Sequence, residues 1–206
     1  MADRRHGVTA PKTESTVSGE DWDGRDITGQ SFTKVLFADL DMTEVMNNGA
    51  TFTECTFRRV QFNVSVHRDA AFINCTFSNC SFFDAQFTEC KFVGSMFERC
   101  SYDLMKVTGG NWSFVGLPGA DLRKATFRDI RMLDADLTGA RCQGGSILDV
   151  DLTGASLRGA NFSDCDLRGS ELSSLDPEDT VIKGAIITYE QALVIAAALG
   201  LDVRPE

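Results

Sequence analysis

The chain has 206 residues, of which 43% are hydrophobic and 24% are charged, a composition typical of a folded, soluble protein. Its formal net charge is −10, so the chain should repel nucleic acid, and it contains no apolar run long enough to cross a membrane. We therefore expect neither nucleic-acid binding nor membrane insertion.

The first residues, MADRRHGVTAPKTESTVS, are polar and lack the apolar stretch of a signal peptide. We interpret residues 1–18 as a disordered N-terminal tail. Without an export signal, the expected location is the cytoplasm, where cysteine thiols stay reduced.

A period of five residues runs from Trp22 to Leu172. Of the 31 residues whose numbers end in 2 or 7, 29 are apolar, and only Asn47 and His67 are not. The residues two positions earlier are mostly Ala, Cys, Val, Ser or Gly. Neither a helix nor a strand has a period of five, so the pattern predicts a coil. Each five-residue unit would form one side, and four units would form a square turn of twenty residues.

Three segments, ADLTGA, ADLRKATF and ASLRGANFSDCDLRGSEL, resemble the A(D/N)LXX motif of the pentapeptide-repeat family. The resemblance implies an all-β solenoid, a right-handed quadrilateral (pentapeptide-repeat) β-helix. We place this β-helix at residues 19–176. A bend is expected near residues 103–119, where Gly109, Gly110 and Pro118 disturb strand pairing.

The seven cysteines follow the same period. Cys142 occupies the large inward position, and the other six occupy the small one: Cys55, Cys75, Cys80, Cys90, Cys100 and Cys165. They are therefore predicted to be buried and to serve as small hydrophobic residues. Because their spacing does not suit a zinc site, we expect neither a metal nor a cofactor.

Asn47 and His67 are twenty residues apart, so they should stack on adjacent turns. Three interpretations remain open: a satisfied buried polar pair, a locally distorted coil, or a bulged recognition segment at residues 47–49. The only other histidine is His6, so no Ser-His-Asp or Cys-His arrangement is evident. We predict that the protein is not an enzyme.

Residues 177–206 are predicted to form a C-terminal cap and dimerisation helix. Thr188 and Gln191 form a capping box, and Gly200 follows the apolar run, which predicts a helix at 189–199 and a short strand at 201–203. The helix is apolar on more than one stripe, and a symmetric dimer would cover the second stripe. The expected interface residues are Tyr189, Leu193, Ala196, Ala197, Leu199, Leu201 and Val203.

The segments NFSDCDLRGSELSSLD and GAIITYEQALVIAAALGLDV look like the C-terminus of the Qnr, MfpA and AlbG group of pentapeptide-repeat proteins. This resemblance implies a head-to-head dimer through the terminal helix. It also implies binding to DNA gyrase and to topoisomerase IV, mimicry of duplex DNA, and relief of inhibition by quinolones or natural gyrase poisons. Qnr proteins of Gram-negative bacteria carry loops that interrupt the coil. This chain keeps one register and is in that respect more similar to MfpA.

The square coil sorts the outward charges by side. We call side 1 the units centred on residue 22 and every twentieth residue after it, and side 2 the units centred on 27 and onward. Side 1 carries eight outward acids and three bases, and side 2 carries six acids and four bases. From these we predict a topoisomerase-binding acidic stripe: Asp21, Asp23, Asp41, Glu44, Asp84, Asp103, Asp121 and Asp164 on side 1, with Asp69, Glu89, Asp129, Asp149 and Asp166 on side 2.

The sequence thus predicts a DNA-mimicking dimer that binds DNA gyrase or another type II topoisomerase. It would modulate the enzyme or protect it from an inhibitor. The alternative is a pentapeptide-repeat scaffold that binds an unrelated protein partner. The sequence leaves open which inhibitor is involved, which gyrase surface is bound, and whether the role is resistance, self-protection or regulation.

Overall fold

The structure, a computed structural model that describes residues 9–204, is a parallel β-solenoid followed by one α-helix. This confirms the predicted fold class. Every strand pairing joins residues that are twenty apart, as in Phe37 with Phe57 and Phe57 with Phe77. The same register runs from the bridge between Asp21 and Asp41 to the bridge between Asp166 and Ile186. No inserted loop shifts it.

Three sides of the coil contain short strands. Side 2 carries β4 (Met46–Asn48), β7 (Val66–Arg68), β10 (Gln86–Thr88), β12 (Lys106–Thr108), β13 (Thr126–Arg128) and β14 (Ser146–Leu148). Side 3, centred on residue 32 and onward by twenties, carries β2 (Ser31–Thr33), β5 (Thr51–Thr53) and β8 (Ala71–Ile73). Side 4, centred on residue 37 and onward, carries β1 (Ser15–Ser18), β3 (Val35–Ala38), β6 (Thr56–Arg58), β9 (Thr76–Ser78) and β11 (Met96–Glu98). Side 1 is held by single bridges alone over the described residues.

The predicted N-terminal boundary is wrong. Residues 15–18 form strand β1, which pairs in parallel with residues 35–38 of β3, so the coil begins before residue 19. Val17 is half-buried against the core, and its number continues the apolar period one unit before Trp22. The proposed disorder of residues 1–8 lies outside the described residues.

The core is the column of large apolar residues at the centre of the square. Of the 31 periodic positions, 30 are buried, and the exception, Phe32, is half-buried near the N-terminal end. Aromatic rings stack from turn to turn: the Phe57 and Phe77 centroids are 4.7 Å apart, with the rings inclined by 3°. The distance between adjacent strands of a parallel ladder thus also sets the distance between stacked aromatic rings.

The fourth residue of each unit lies at a corner and in most units has a left-handed backbone, with φ near +50° to +77°. Gly110 departs from this pattern, since it lies one position later and has φ +91°. The register nevertheless continues through it, from the bridge of Lys91 with Asn111 to that of Asn111 with Arg131. The bend expected at 103–119 stays a prediction.

The C-terminal helix, α1 (Tyr189–Ala198), ends one residue earlier than expected. Thr188 and Gln191 form the predicted capping box. Gly200, with φ +78°, donates its N–H to the Ala197 carbonyl, and Leu201 donates to Ala196, which together form a Schellman motif. The strand predicted at 201–203 is wrong, because the Leu201 N–H completes the helix C-terminus and no ladder forms there within the described chain.

Candidate functional site

Asp21 and Asp41, two acidic residues of side 1, are held by hydrogen bonds to the backbone of their own units. Asp21 Oδ1 accepts a hydrogen bond from the Asp23 backbone N–H at 3.0 Å, and Asp41 Oδ1 accepts one from Thr43 at 2.9 Å. An aspartate that binds the N–H two residues later mimics a backbone turn. The aspartate at this position of the unit therefore has a structural role.

Ion pairs divide the predicted stripe into two sets. Five of its carboxylates pair with a cation: Asp84 with Lys106, Asp103 with Lys124, Asp121 with Arg123 and Arg141, Asp149 with Arg128, and Asp166 with Arg168. The other eight form no ion pair with any described residue: Asp21, Asp23, Asp41, Glu44, Asp69, Glu89, Asp129 and Asp164. A paired carboxylate offers less charge to a partner than an unpaired one.

The two ends of side 1 differ in charge. Its first five units, up to residue 104, contain six outward acids and no Lys or Arg. Its last three units contain Arg123, Lys124 and Arg141 with only two acids. The unpaired negative charge of side 1 is therefore concentrated in the N-terminal half of the rod.

Asp121 shows how the C-terminal half is neutralised. Arg123 donates to both carboxylate oxygens, at 2.8 and 2.7 Å, and Arg141 donates to Oδ2 at 3.0 Å. These contacts, chiefly the hydrogen bonds from Arg123, lower the pKa of Asp121 to about 2. The structure places this predicted site residue in a local ion-pair cluster.

Sequence reasoning missed three exposed apolar residues on side 1. Val64, Phe83 and Leu104 are 39%, 46% and 48% exposed and lie on three successive turns. The sequence does indicate their exposure, because they occupy outward positions of the five-residue unit, where most other residues are polar. Phe83 is one of only two phenylalanines outside the periodic column.

Asn47 and His67 form a satisfied buried polar pair, the first of the three interpretations. Asn47 Nδ2 lies 3.0 Å from His67 Nδ1, and His67 Nε2 lies 3.0 Å from Ser65 Oγ, which donates to the Phe62 carbonyl at 2.7 Å. Since Ser65 uses its proton on Phe62, it accepts from His67, so Nε2 carries the imidazole proton and Nδ1 accepts from Asn47. Asn47 Oδ1 accepts the Ala50 N–H at 3.0 Å.

The cysteines take the places that the period predicts. All seven are free thiols; six are buried and Cys100 is half-buried. Burial raises the pKa of Cys90 and of Cys165 to about 12, so these thiols stay protonated at neutral pH. Within residues 9–204, no group of three or more His, Cys, Asp or Glu side chains converges as a metal site would require.

The C-terminal helix lies on the open end of the coil and is attached by Gln191. The Gln191 Nε2 amide donates to the Leu167 and Ser170 carbonyls, at 2.7 Å each, and its Oε1 caps the helix. The expected interface residues Tyr189, Leu193, Ala197, Leu199, Leu201 and Val203 are exposed, and Ala196 is partly buried. Val181 and Ile186, on the last rung of the ladder, are also exposed and were missed from the sequence. None of the helices in the described part of the chain is long and apolar enough to cross a bilayer.

A parallel coil with twenty-residue turns and an inward pair in each five-residue unit defines a quadrilateral solenoid protein. Two family models match it: "pentapeptide repeat region" over residues 50–127, and "pentapeptide repeats (8 copies)" over 117–147 and 148–176. The chain belongs to the pentapeptide-repeat family. No curated protein matches it in sequence.

Solved structures of QnrB1, described as a plasmid-mediated fluoroquinolone resistance protein, share this architecture. A trypsin-treated variant has a TM-score of 0.71 at 23% identity, over 94% of this chain and 99% of that chain. Full-length QnrB1 has a TM-score of 0.59 at 22% identity, over 92% of this chain and 99% of that one. At this level of identity, the likeness shows the fold.

Proposed function

We propose that this chain is a non-enzymatic cytoplasmic protein that binds DNA gyrase or topoisomerase IV as a mimic of duplex DNA. It would modulate the enzyme or protect it from quinolones or natural gyrase poisons. The observation that carries the proposal is the set of unpaired carboxylates on the N-terminal half of side 1. The likeness to QnrB1, itself a fluoroquinolone resistance protein, supports the same reading.

The physical basis is competition for a cationic surface. Asp21, Asp23, Asp41 and Glu44 present negative charge on one side of the rod, where successive turns are about 4.8 Å apart. A protein groove that binds duplex DNA is lined with Lys and Arg, which a row of fixed carboxylates can engage. Because these acids are exposed, the attraction should steer association and weaken as salt is added.

A dimer would present this acidic surface twice on a rod of double length. Tyr189 is 77% exposed, and Leu199 and Leu201 are 56% and 61% exposed. Together with Val181 and Ile186, they leave an apolar end to the rod. We propose a symmetric head-to-head dimer through α1, which covers this end and the last open rung of the ladder. The acidic halves would then lie at the two distal ends.

The test is a gyrase supercoiling assay with increasing amounts of the protein, with and without ciprofloxacin. Binding is measured in parallel by surface plasmon resonance with purified gyrase. We expect a complex together with a change in supercoiling activity, in drug inhibition or in both. If no complex forms with gyrase or topoisomerase IV and neither activity changes, the topoisomerase proposal fails. The alternative, a scaffold for an unrelated partner, would then take its place.

A further inference from the structure

Three exposed apolar side chains form one patch on side 1. We define the apolar patch as Val64, Phe83 and Leu104, which lie on consecutive turns and are 39–48% exposed. Val64 and Phe83 are joined by the ladder, since the Val64 N–H donates to the Phe83 carbonyl at 2.8 Å. Val64 and Leu104 belong to one column of corner residues, with Asp84 between them. An outward apolar group on three successive turns of one side is a contiguous surface feature.

The patch is conformationally unfavourable for the fold. Val64 and Leu104 have left-handed backbones, with φ +58° and +62°. Bulky and β-branched residues rarely adopt this region, and the same column elsewhere holds residues such as Gly24, Asp84 and Gly144. These two side chains remain 39% and 48% exposed, so only part of their apolar area is buried in return. A left-handed backbone at a bulky residue that is only partly buried is a reason to look for a binding role.

The surroundings of the patch determine what could bind it. Asp41 and Glu44, which form no ion pair with any described residue, lie on the turn before it. Asp84 and Asp103 lie within it and pair with lysines of the neighbouring units, so Asp41 and Glu44 supply the uncompensated charge. Side 1 contains no Lys or Arg between residues 41 and 105. Nucleic acid and anionic lipid would be repelled, and a second copy of this surface would bring like charges together. The complementary partner is a protein surface with an apolar depression bordered by Lys and Arg.

We infer that the apolar patch inserts into an apolar depression within the cationic surface of the topoisomerase. This inference rests on the proposed function and adds a contact to it. The unpaired acids next to the patch align the rod by charge, and the patch adds an apolar anchor that a phosphate backbone does not offer. Such a central apolar anchor with a charged surround is the usual arrangement of an energetically dominant contact.

The left-handed backbone at Val64 and Leu104 allows a test that separates an effect on binding from an effect on folding. Asparagine tolerates the left-handed region, so the double variant Val64→Asn/Leu104→Asn should keep or raise the melting temperature. The same variant should weaken gyrase binding about tenfold or more, because it removes the apolar anchor. The residual binding of wild type at high salt should be lost as well, since apolar contacts are not screened.

Phe114→Asn is the matched control. Phe114 has φ +60° and is 38% exposed, but it lies on side 3, opposite the patch. We expect this variant to bind gyrase as wild type does.

Four outcomes would overturn the inference. If wild type binds gyrase and the double variant binds equally well, the apolar anchor is wrong and the proposed function stands. If Phe114→Asn weakens binding as much, the effect is not specific to the patch. If the double variant abolishes a concentration-dependent self-association of wild type seen by analytical ultracentrifugation, the occupant is a second copy. If wild type binds no topoisomerase, the proposed function fails and the anchor fails with it.

Discussion

Asn47 and His67 lie on neighbouring turns and form a hydrogen bond of 3.0 Å in the centre of the coil, where other units place apolar side chains. The His67 ring continues the aromatic column, since its centroid lies 4.8 Å from that of Phe87 with the rings inclined by 10°. Each polar atom of the pair has a partner, which makes burial tolerable. The arrangement requires a neutral imidazole, because Nδ1 accepts from Asn47.

This requirement predicts a loss of stability in mild acid. Burial lowers the pKa of His67 to about 3, below its value of about 6.5 in the unfolded chain. The unfolded state therefore takes up a proton first as the pH falls through 6.5, and stability is lost from there down to pH 3. Between pH 6.5 and 5, the free energy of unfolding should fall by about 1.5 kcal/mol.

The measurement is urea unfolding at fixed protein concentration across this pH window. Carboxylates with lowered pKa, such as Asp121, change stability mainly below about pH 4, so they contribute little here. His67→Gln is the control, because an amide can donate and accept without titrating. A slope that persists unchanged in His67→Gln would assign the acid sensitivity to another group.

Gly110 should be far less tolerant of substitution than its neighbour Gly109. A Cβ on Gly110 would lie 2.1 Å from the Cys90 carbonyl oxygen, which is backbone of the adjacent turn and cannot move without breaking the ladder. A Cβ on Gly109 would meet the Glu89 carboxylate, which can rotate away. We expect Gly110→Ala to cost more than about 3 kcal/mol and Gly109→Ala about 1–2 kcal/mol. Thermal unfolding of the two variants compares them directly, and equal costs would refute the close approach.

Gln191 should control the attachment of the helix. In Gln191→Ala, the buried Leu167 and Ser170 carbonyls lose the donor that they share, at a cost of about 2–3 kcal/mol to helix docking. Hydrogen exchange of the α1 amides should accelerate while the amides of β4 to β14 stay protected. Glu190→Gln, an exposed change on the same turn, is the control. Unchanged protection of α1 in Gln191→Ala would show that the apolar contacts of the helix suffice.

If the dimer forms through α1, a charge introduced on the exposed face of this helix should yield a monomer. Ala197 is exposed in the protomer, so Ala197→Glu should fold normally but place an unpaired carboxylate in the interface. The dimer dissociation constant should rise on the order of a hundredfold, as measured by sedimentation equilibrium. Gln86→Glu adds the same charge on the exposed surface of the coil and should leave the dimer intact. If Ala197→Glu dimerises like wild type, the helix does not form the interface.

Removing an unpaired carboxylate of the predicted stripe should weaken gyrase binding more than removing one that already forms an ion pair. Asp41→Asn removes an unpaired charge and keeps an oxygen for the Thr43 N–H, so it should weaken binding severalfold and reduce its salt dependence. Asp121→Asn removes a carboxylate that Arg123 and Arg141 already neutralise and should have a smaller effect. Equal effects of the two variants in titrations at two salt concentrations would argue against the N-terminal half as the binding surface.

The period of five was sufficient to predict the coil, because each large residue from Trp22 onward contributes to a single continuous column. It also predicted the inward place of the cysteines. The capping box of α1 was predicted separately, from Thr188 and Gln191 beyond the periodic region. The period did not reveal that Val17 begins the column, since one apolar residue in a polar segment is a weak signal.

Ion pairing could not be predicted by counting charges per side. Lys106 lies on side 2 and neutralises Asp84 on side 1, across a corner that depends on side-chain conformation. The apolar patch was missed for a different reason, since outward residues were sorted by charge and not by hydrophobicity.

The single register also makes the coil a molecular ruler. Every residue has a counterpart twenty positions later on the same side, one rung of about 4.8 Å further along. A deletion of twenty residues within the coil would shorten the rod by one rung and preserve which side each remaining residue faces. A deletion of five residues would move every later unit to the neighbouring side of the coil. The distance from the acidic half to the dimer end and the side on which it faces can therefore be changed independently.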